Sequence, residues 1–446
     1  MDQIVPHRWI KAGTGGLATV THVLPSTLAL DDIDLSGQAF WELTPDEREG
    51  AFALLREQRP IAHFDDPVIE DSPVPLPPGN GYYALTRHRD VTTASRHPEV
   101  FRSGQGAVSL IDLPPEMVEY FSGMISTDNP RHTRLRRIVS NAFNPRRVQA
   151  IEDSIDRVAR EVVDSVVDSG ACDFATDVAA PFPLRIICEM MGVPPSDDAE
   201  VLRCSNTILS GGDAEYIPEG VHPVTAVLEA GATLTAMMES LGAHRVEHPV
   251  DDLTSALVNS EVEGDALTHQ ELASFFVLLV TAGNETTRTA IAHGLWAFTE
   301  HPDQRALWQA DLEGRAQTAV DEIVRWASPV IWMRRTLAEP ATLSGTELAA
   351  GDKVLLFYNS ANRDEEVFTD PYRFDVLRNP NPHLGFGAAG PHFCLGAHLA
   401  RREIRVMFRE LFRRVPDIAA TSEPDRLRSS FVNGIKHLPC AFTASR

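Results

Sequence analysis

The sequence predicts a mainly helical chain with small β-sheets at its edges, an α+β fold. Helical periodicity runs through most segments, as in "IEDSIDRVAREVVDSVVDS" at 151–169, where Ile151, Ile155, Val158, Val162 and Val166 form one apolar stripe. A much longer helical pattern extends from Glu271 to His301, where His301-Pro302 closes it. Strand signals are short and sparse: "YYALT" at 82–86, and "DKVLLFYNS" at 352–360 after the turn-like "AAG". The alternating strand–helix rhythm of a parallel sheet is missing.

Taken in chain order, residues 1–30 read as an N-terminal extension and 31–446 as one domain. No internal repeat divides the 446 residues, and no Gly/Ser- or Pro-rich stretch is long enough to be a linker. "EDSPVPLPPGNG" at 70–81 leads straight into the "YYALT" strand and reads as a surface loop. The first half of the long helix, "LASFFVLLVTAG", is apolar almost all round, which marks it as buried. "AGNETTR", Ala282 to Arg288, interrupts it. Gly283 weakens a helix, and a threonine hydroxyl bonding back to the preceding turn can bend it, so a local break is expected here. The pattern "LARREIRVMFRELFRRV" near the C-terminus is a further amphipathic helix.

Lys+Arg total 40 against 63 Asp+Glu, a net charge of −23, and such a surface repels nucleic acid and anionic lipid. No apolar run is long enough for a membrane span. Glycines and threonines interrupt the first 26 residues, which make a poor signal peptide. The five cysteines, an odd number without C-x-x-C, argue against a disulfide framework and for a reducing cytoplasm.

Only Cys394 sits in unusual company, in "HLGFGAAGPHFCLGA". Gly385, Gly387 and Gly390 spell G-x-G-x-x-G, the fingerprint of a dinucleotide cradle. That cradle needs a strand before its first glycine, yet "RNPNPHL" carries two prolines there, and too little chain follows for the rest of a sheet. A thiolate ligand fits better. Cys394 precedes a helix whose N–H groups and dipole favour negative charge on sulfur, and Gly396 removes a side chain where a flat cofactor would lie. Zinc is the rival, with His392, Cys394 and His398 close by, but their spacing matches no zinc knuckle.

At this point the loop resembles the cysteine-ligand loop of the cytochrome P450 haem-thiolate monooxygenases, with Phe386, Gly390, His392, Cys394 and Gly396 at the family's positions. Phe386 stands one residue further from the cysteine than in the commonest form, because the loop holds an extra small residue. "AGNETT" resembles the oxygen-pocket motif, with Glu285 in place of the more usual aspartate. "EIVR" supplies the E-x-x-R pair Glu322 and Arg325, with Arg373 of "DPYRF" as its expected partner. His132 and Arg136, on one helical face, resemble the propionate-binding pair, and Arg335 falls at another propionate position.

The resemblance implies a haem b axially ligated by Cys394, with Ala282, Gly283, Leu384 and Phe386 as further contacts. It also implies insertion of one O2-derived oxygen atom into a C–H bond, Thr286 holding water near the haem and Glu285 swinging towards solvent to relay protons. Electrons would come from a ferredoxin and its ferredoxin reductase, docked on a basic patch of Arg402, Arg405, Arg409 and Arg413 with Arg134 and Arg137. The protein would be a monomer. Val330, Ile331 and Trp332, with "GAVSLIDLPPEMVEYFSGM" and "NTILSGG", would line an apolar substrate pocket. The nearest resemblance is to actinobacterial members that hydroxylate the terminal carbon of methyl-branched lipids and sterol side chains. A macrolide or terpenoid tailoring hydroxylase is the alternative on this scaffold. A haem-thiolate sensor or electron carrier is the more distant one; it would need Cys394 but not Glu285 and Thr286.

Overall fold

A computed structural model of the chain describes residues 25–114, 117–118, 123–143, 145–259 and 266–444. Most of the expected N-terminal extension, and part of the expected pocket segment at 106–124, lie outside the described residues.

The long helices are α1 (Pro45–Gln58), α2 (His88–Arg96), α3 (Arg131–Ala142), α4 (Pro145–Val166), α5 (Pro181–Met191), α6 (Asp198–Leu209), α7 (Pro223–Glu247), α8 (Leu253–Val258), α9 (His269–Glu300), α10 (Pro302–Ala310), α11 (Ala316–Ala327) and α12 (Ala397–Arg414). α9 is the axis of the molecule, packed against α5, α6, α7, α11 and α12. Thr268 and Glu271 close a capping box at its start, and Pro302 prevents its continuation past His301. The expected break at Gly283 is absent: α9 runs unbroken through "AGNETTR". Instead, a Cβ at Gly283 would lie 2.9 Å from Cδ1 of Ile187, so this glycine lets α5 approach α9 closely.

The strands are β1 (Ile61–Phe64), β2 (Tyr82–Leu85), β3 (Phe101–Arg102), β4 (Ala171–Asp173), β5 (Trp332–Leu337), β6 (Ala341–Leu343), β7 (Thr346–Leu348), β8 (Lys353–Phe357), β9 (Ala419–Ala420), β10 (Asp425–Arg426), β11 (Ile435–His437) and β12 (Pro439–Ala441). The main sheet has the order β1-β2-β8-β5-β3, in which only β2 and β8 run parallel. A small antiparallel sheet, β4-β12-β9, ties the chain end to the segment before α5. The largest apolar core lies between the C-terminal half of α9, α11 and α12. There Phe298 meets Phe374, Phe408 and Phe412 edge-on at 5.5, 5.3 and 5.5 Å, geometry that suits the aromatic quadrupole. Among the described residues, no helix is long and apolar enough to cross a membrane.

Candidate active site

The glycine-rich loop is folded back on itself so that the Cys394 N–H donates to the Phe386 carbonyl at 3.0 Å, closing the segment between them. Gly387 adopts φ +80°, a left-handed turn that glycine tolerates, and a Cβ at Gly390 would lie 2.3 Å from the Ser95 carbonyl oxygen. Arg401 stacks its guanidinium 4.4 Å from the Phe386 ring, and Leu384 hangs from the Asn362 side chain by a 2.7 Å hydrogen bond. The sulfur is thus delivered by a braced loop immediately before α12. A Cβ at Gly396 would meet only Cys394 Sγ, at 4.0 Å, which leaves this side open for a flat group. The thiol of Cys394 sits above its ordinary value because burial outweighs the Gly396 N–H, Arg136 and Arg401, which pull it down. The expected lowering by the backbone N–H at the helix start is therefore present but is outweighed by desolvation.

Four cationic or cation-capable groups gather beside the loop. The buried His132 ring lies 4.2 Å from that of His392. Arg136, one turn along α3 from His132, donates to the carbonyls of Pro391 and Phe393 at 2.9 and 2.8 Å. Arg335 is buried, and its guanidinium donates to the carbonyl of its neighbour Arg334 at 2.7 Å. Burial, then Arg335, His132 and Arg136, push His392 down to about 2, and burial with Arg136 lowers His132. Asp128 is the carboxylate that acts on His132 and Arg335, and it is already engaged by the N–H groups of Ser103 and Gly104. Arg334, on the opposite face of β5, pairs with Asp112 at 2.6 Å. A thiol on a braced loop, an open glycine and two arginines beside two histidines whose protonation they oppose fit a flat dianionic prosthetic group.

The central helix is buried almost continuously from Asn284 onward, yet Ala282 is exposed and Gly283 and Thr286 are half-buried. One turn of an otherwise enclosed helix therefore offers surface. Thr286 Oγ1 donates to the Ala282 carbonyl at 2.7 Å, the back-bond expected of it. Thr287 meets Glu403 of α12, which links this turn to the helix that follows Cys394. Glu285 does not face solvent as expected. It is buried against Arg288 at 3.2 Å, and Arg288 in turn donates to Asn206 of α6 at 2.9 Å. Asn284 is fully buried, and neither atom of its side-chain amide meets a hydrogen-bond partner among the described residues.

Behind the loop, Glu322 and Arg325 pair at 2.8 Å with both side chains fully buried. Arg373 does not complete the pair. Its side chain is exposed and only its carbonyl accepts from Arg325, whereas Arg378 donates to Glu322 at 3.1 Å.

Of the expected pocket residues, Ile331 and Trp332 are core residues. At 2% exposure each, they pack with Trp41, Phe52 and Phe357, and Trp332 stands edge-on to Phe431. Val330 is half-buried, as is Met333, which β alternation places on the Arg335 face. The arginine face of α12 is not a free basic patch either: Arg402 and Arg409 both bind Asp156, and Arg405 binds Glu313. Sequence reasoning missed Arg288, Arg378, Asn206 and Met333. The strand period could have revealed Met333 and the i,i+3 spacing the Glu285–Arg288 pair, whereas Arg378 and Asn206 depend on contacts between distant segments.

The cytochrome P450 profile matches residues 316–432. The chain is 50% identical over 425 residues to the methyl-branched lipid omega-hydroxylase of Mycobacterium tuberculosis, covering 94% of this chain and 96% of that one. It is 39% identical over 369 residues to the steroid C26-monooxygenase of Mycolicibacterium smegmatis, covering 82% of this chain and 84% of that one. The solved structure of Mycobacterium marinum cytochrome P450 CYP268A2 in complex with pseudoionone superposes with a TM-score of 0.87 at 43% identity, covering 94% of this chain and 100% of that one. Identity at this level across nearly the whole length joins the profile match and the fold in one conclusion: this chain belongs to the cytochrome P450 family, monooxygenases whose haem is ligated by a cysteine thiolate.

Proposed function

We propose that this P450 hydroxylates the terminal carbon of a methyl-branched lipid, with the sterol side chain as its second substrate class. The observation that carries the reading is the 50% identity to a methyl-branched lipid omega-hydroxylase over 94% of the chain, against 39% over 82% for a steroid C26-monooxygenase. In this reading residues 31–446 form one monomeric domain, working in the cytoplasm with a ferredoxin and its reductase.

Cys394 would hold the iron of the haem, which when bound supplies the oxygen-activating chemistry. His132, Arg136, Arg335 and His392 would hold its two carboxylates, and the two arginines of that cluster, which oppose protonation of its histidines, support the assignment. The exposed turn Ala282–Thr286 would form the distal wall. There the Thr286 hydroxyl positions water, and Glu285, held by Arg288, passes protons along the α6–α9 seam instead of swinging outward. Val330 and Met333 would contribute apolar surface to the substrate end.

An optical titration of the ferric, haem-loaded protein tests the substrate class. The ligands are a methyl-branched fatty acid, a straight-chain acid of equal length and a cholestenone. The expected result is a low- to high-spin shift saturating at the lowest concentration with the branched acid. Tighter saturation with the cholestenone would transfer the proposal to the sterol side chain. No shift with any ligand would overturn the lipid reading in favour of a tailoring hydroxylase for a bulkier substrate.

A further inference from the structure

We propose that Cys172 and Cys440 are a redox modification site, a thiol pair that hydrogen peroxide converts to a reversible disulfide. The two residues stand directly opposite each other in the antiparallel β4–β12 ladder. Hydrogen bonds fix that register on both sides: Phe174 N–H to the Leu438 carbonyl at 2.9 Å, and Phe442 N–H to the Gly170 carbonyl at 3.0 Å. Opposed residues in such a ladder have Cα atoms about 4.5–5.5 Å apart, inside the span a disulfide bridges. The sulfurs already touch at 3.4 Å, so side-chain rotation rather than backbone movement would close the bond.

The pair lies at the margin of its sheet. β4 is an edge strand and Cys172 is half-buried, whereas Cys440 lies beneath it in the central strand. The Cys172 thiol, itself pushed up, keeps its proton and holds Cys440 below its ordinary value, so Cys440 is the sulfur of the pair that carries negative charge. Burial also pushes Cys188 up and Cys204 up to about 11. Among the described cysteines, no other two are recorded in sulfur contact.

The reaction balances in two steps. The Cys440 sulfur, as thiolate, attacks one peroxide oxygen; the O–O bond breaks, the other oxygen leaves as hydroxide and takes up the thiol proton as water. The Cys172 sulfur then attacks the resulting Cys440 sulfenic sulfur, forms the S–S bond and expels the hydroxyl group as a second water. Overall, two thiols and one peroxide give a disulfide and two waters. A monooxygenase whose O2 reduction fails to reach product releases that oxidant beside itself, so the pair would record uncoupled turnover. The bond would join positions 268 apart in sequence, around a loop that contains α9, and would restrict the unfolded chain accordingly.

The test uses the haem-loaded full chain, without substrate. It is exposed to stoichiometric hydrogen peroxide, quenched with catalase, alkylated and digested. The expected product is a Cys172–Cys440 linked peptide lighter by two hydrogens than its reduced halves. Dithiothreitol should separate it, and the oxidised protein should melt at a higher temperature than the reduced one. In Cys172→Ser, peroxide should yield no linked peptide and no rise in melting temperature. The proposal is overturned if both wild-type thiols are still fully alkylated after peroxide, or if either cysteine proceeds to sulfinic acid with the other untouched.

Discussion

Replacing Arg378 with alanine should destabilise the protein by about 3 kcal/mol, while Arg373→Ala should change stability by less than about 0.5 kcal/mol. The contrast follows from where the two guanidinium groups sit. Arg378 is 8% exposed and donates through Nε to both oxygens of Glu322, at 3.1 and 3.3 Å. Its other nitrogens reach the carbonyls of Thr369, Asp370 and Arg373 at 2.6, 3.0 and 2.8 Å. Losing those three bonds costs about 1 kcal/mol each. Arg325 still neutralises the fully buried Glu322 in the variant, so the total falls at the low end of the roughly 3–5 kcal/mol for breaking a buried ion pair. Arg373 is exposed, and no side-chain partner of it is recorded among the described residues. Urea unfolding of the haem-loaded variants, followed by far-UV circular dichroism, reads the difference as a shift in midpoint at constant slope. Acid sensitivity should follow. Burial works to raise Glu322, but Arg325 and Arg378 together hold it below the ordinary glutamate value. Its contribution is therefore complete above that ordinary value and is lost as pH falls through the depressed one. Equal losses in the two variants, or a larger loss from Arg373→Ala, would refute the assignment of Arg378 as the partner.

Further outcomes follow from the same contacts. Thr286→Ala should leave the haem spectrum intact but cut product formation at least about tenfold, with the missing electrons recovered as hydrogen peroxide; full coupling would remove the hydroxyl from proton delivery. Arg288→Ala strands Glu285 in a buried site and frees Asn206, so a loss of about 3 kcal/mol is expected in urea melts, together with slower turnover; Arg288→Lys should recover part of both. His437 is held above its ordinary value by Asp173 and then Glu215, so its stabilising effect is complete below the unfolded pKa and fades as pH rises through the folded one. His437→Gln should flatten that alkaline decline in melting temperature. Arg402→Glu places two carboxylates together at Asp156, so thermal stability should fall; reduction by ferredoxin at low salt should change little, because this arginine is already paired.

Local pattern was enough to locate the long central helix, the helix after Cys394 and the strands at 82–85 and 353–357, because hydrophobic period and caps are written over a few consecutive residues. The same holds for the glycine loop, where "FGAAGPHFCLG" carries its own turn chemistry, and for the Glu322–Arg325 pair, three residues apart on one helix. Everything that required two distant segments to meet had to wait for the packing. Gly283 looked like a helix breaker, but the side chain of Ile187, 96 positions earlier by residue number, is what its missing Cβ accommodates. The arginines of α12 looked free until Asp156 and Glu313 were brought against them. Ile331 and Trp332 looked like pocket residues until the sheet folded over Trp41 and Phe357. By itself the sequence determined the fold class, the cysteine loop and the chemistry that loop can support, since each depends on residue type at short spacing. Which charges are paired, which arginine reaches Glu322, and which way Glu285 points were decided only by tertiary structure, because a side chain's partner and its desolvation are properties of the packed interior and not of the chain.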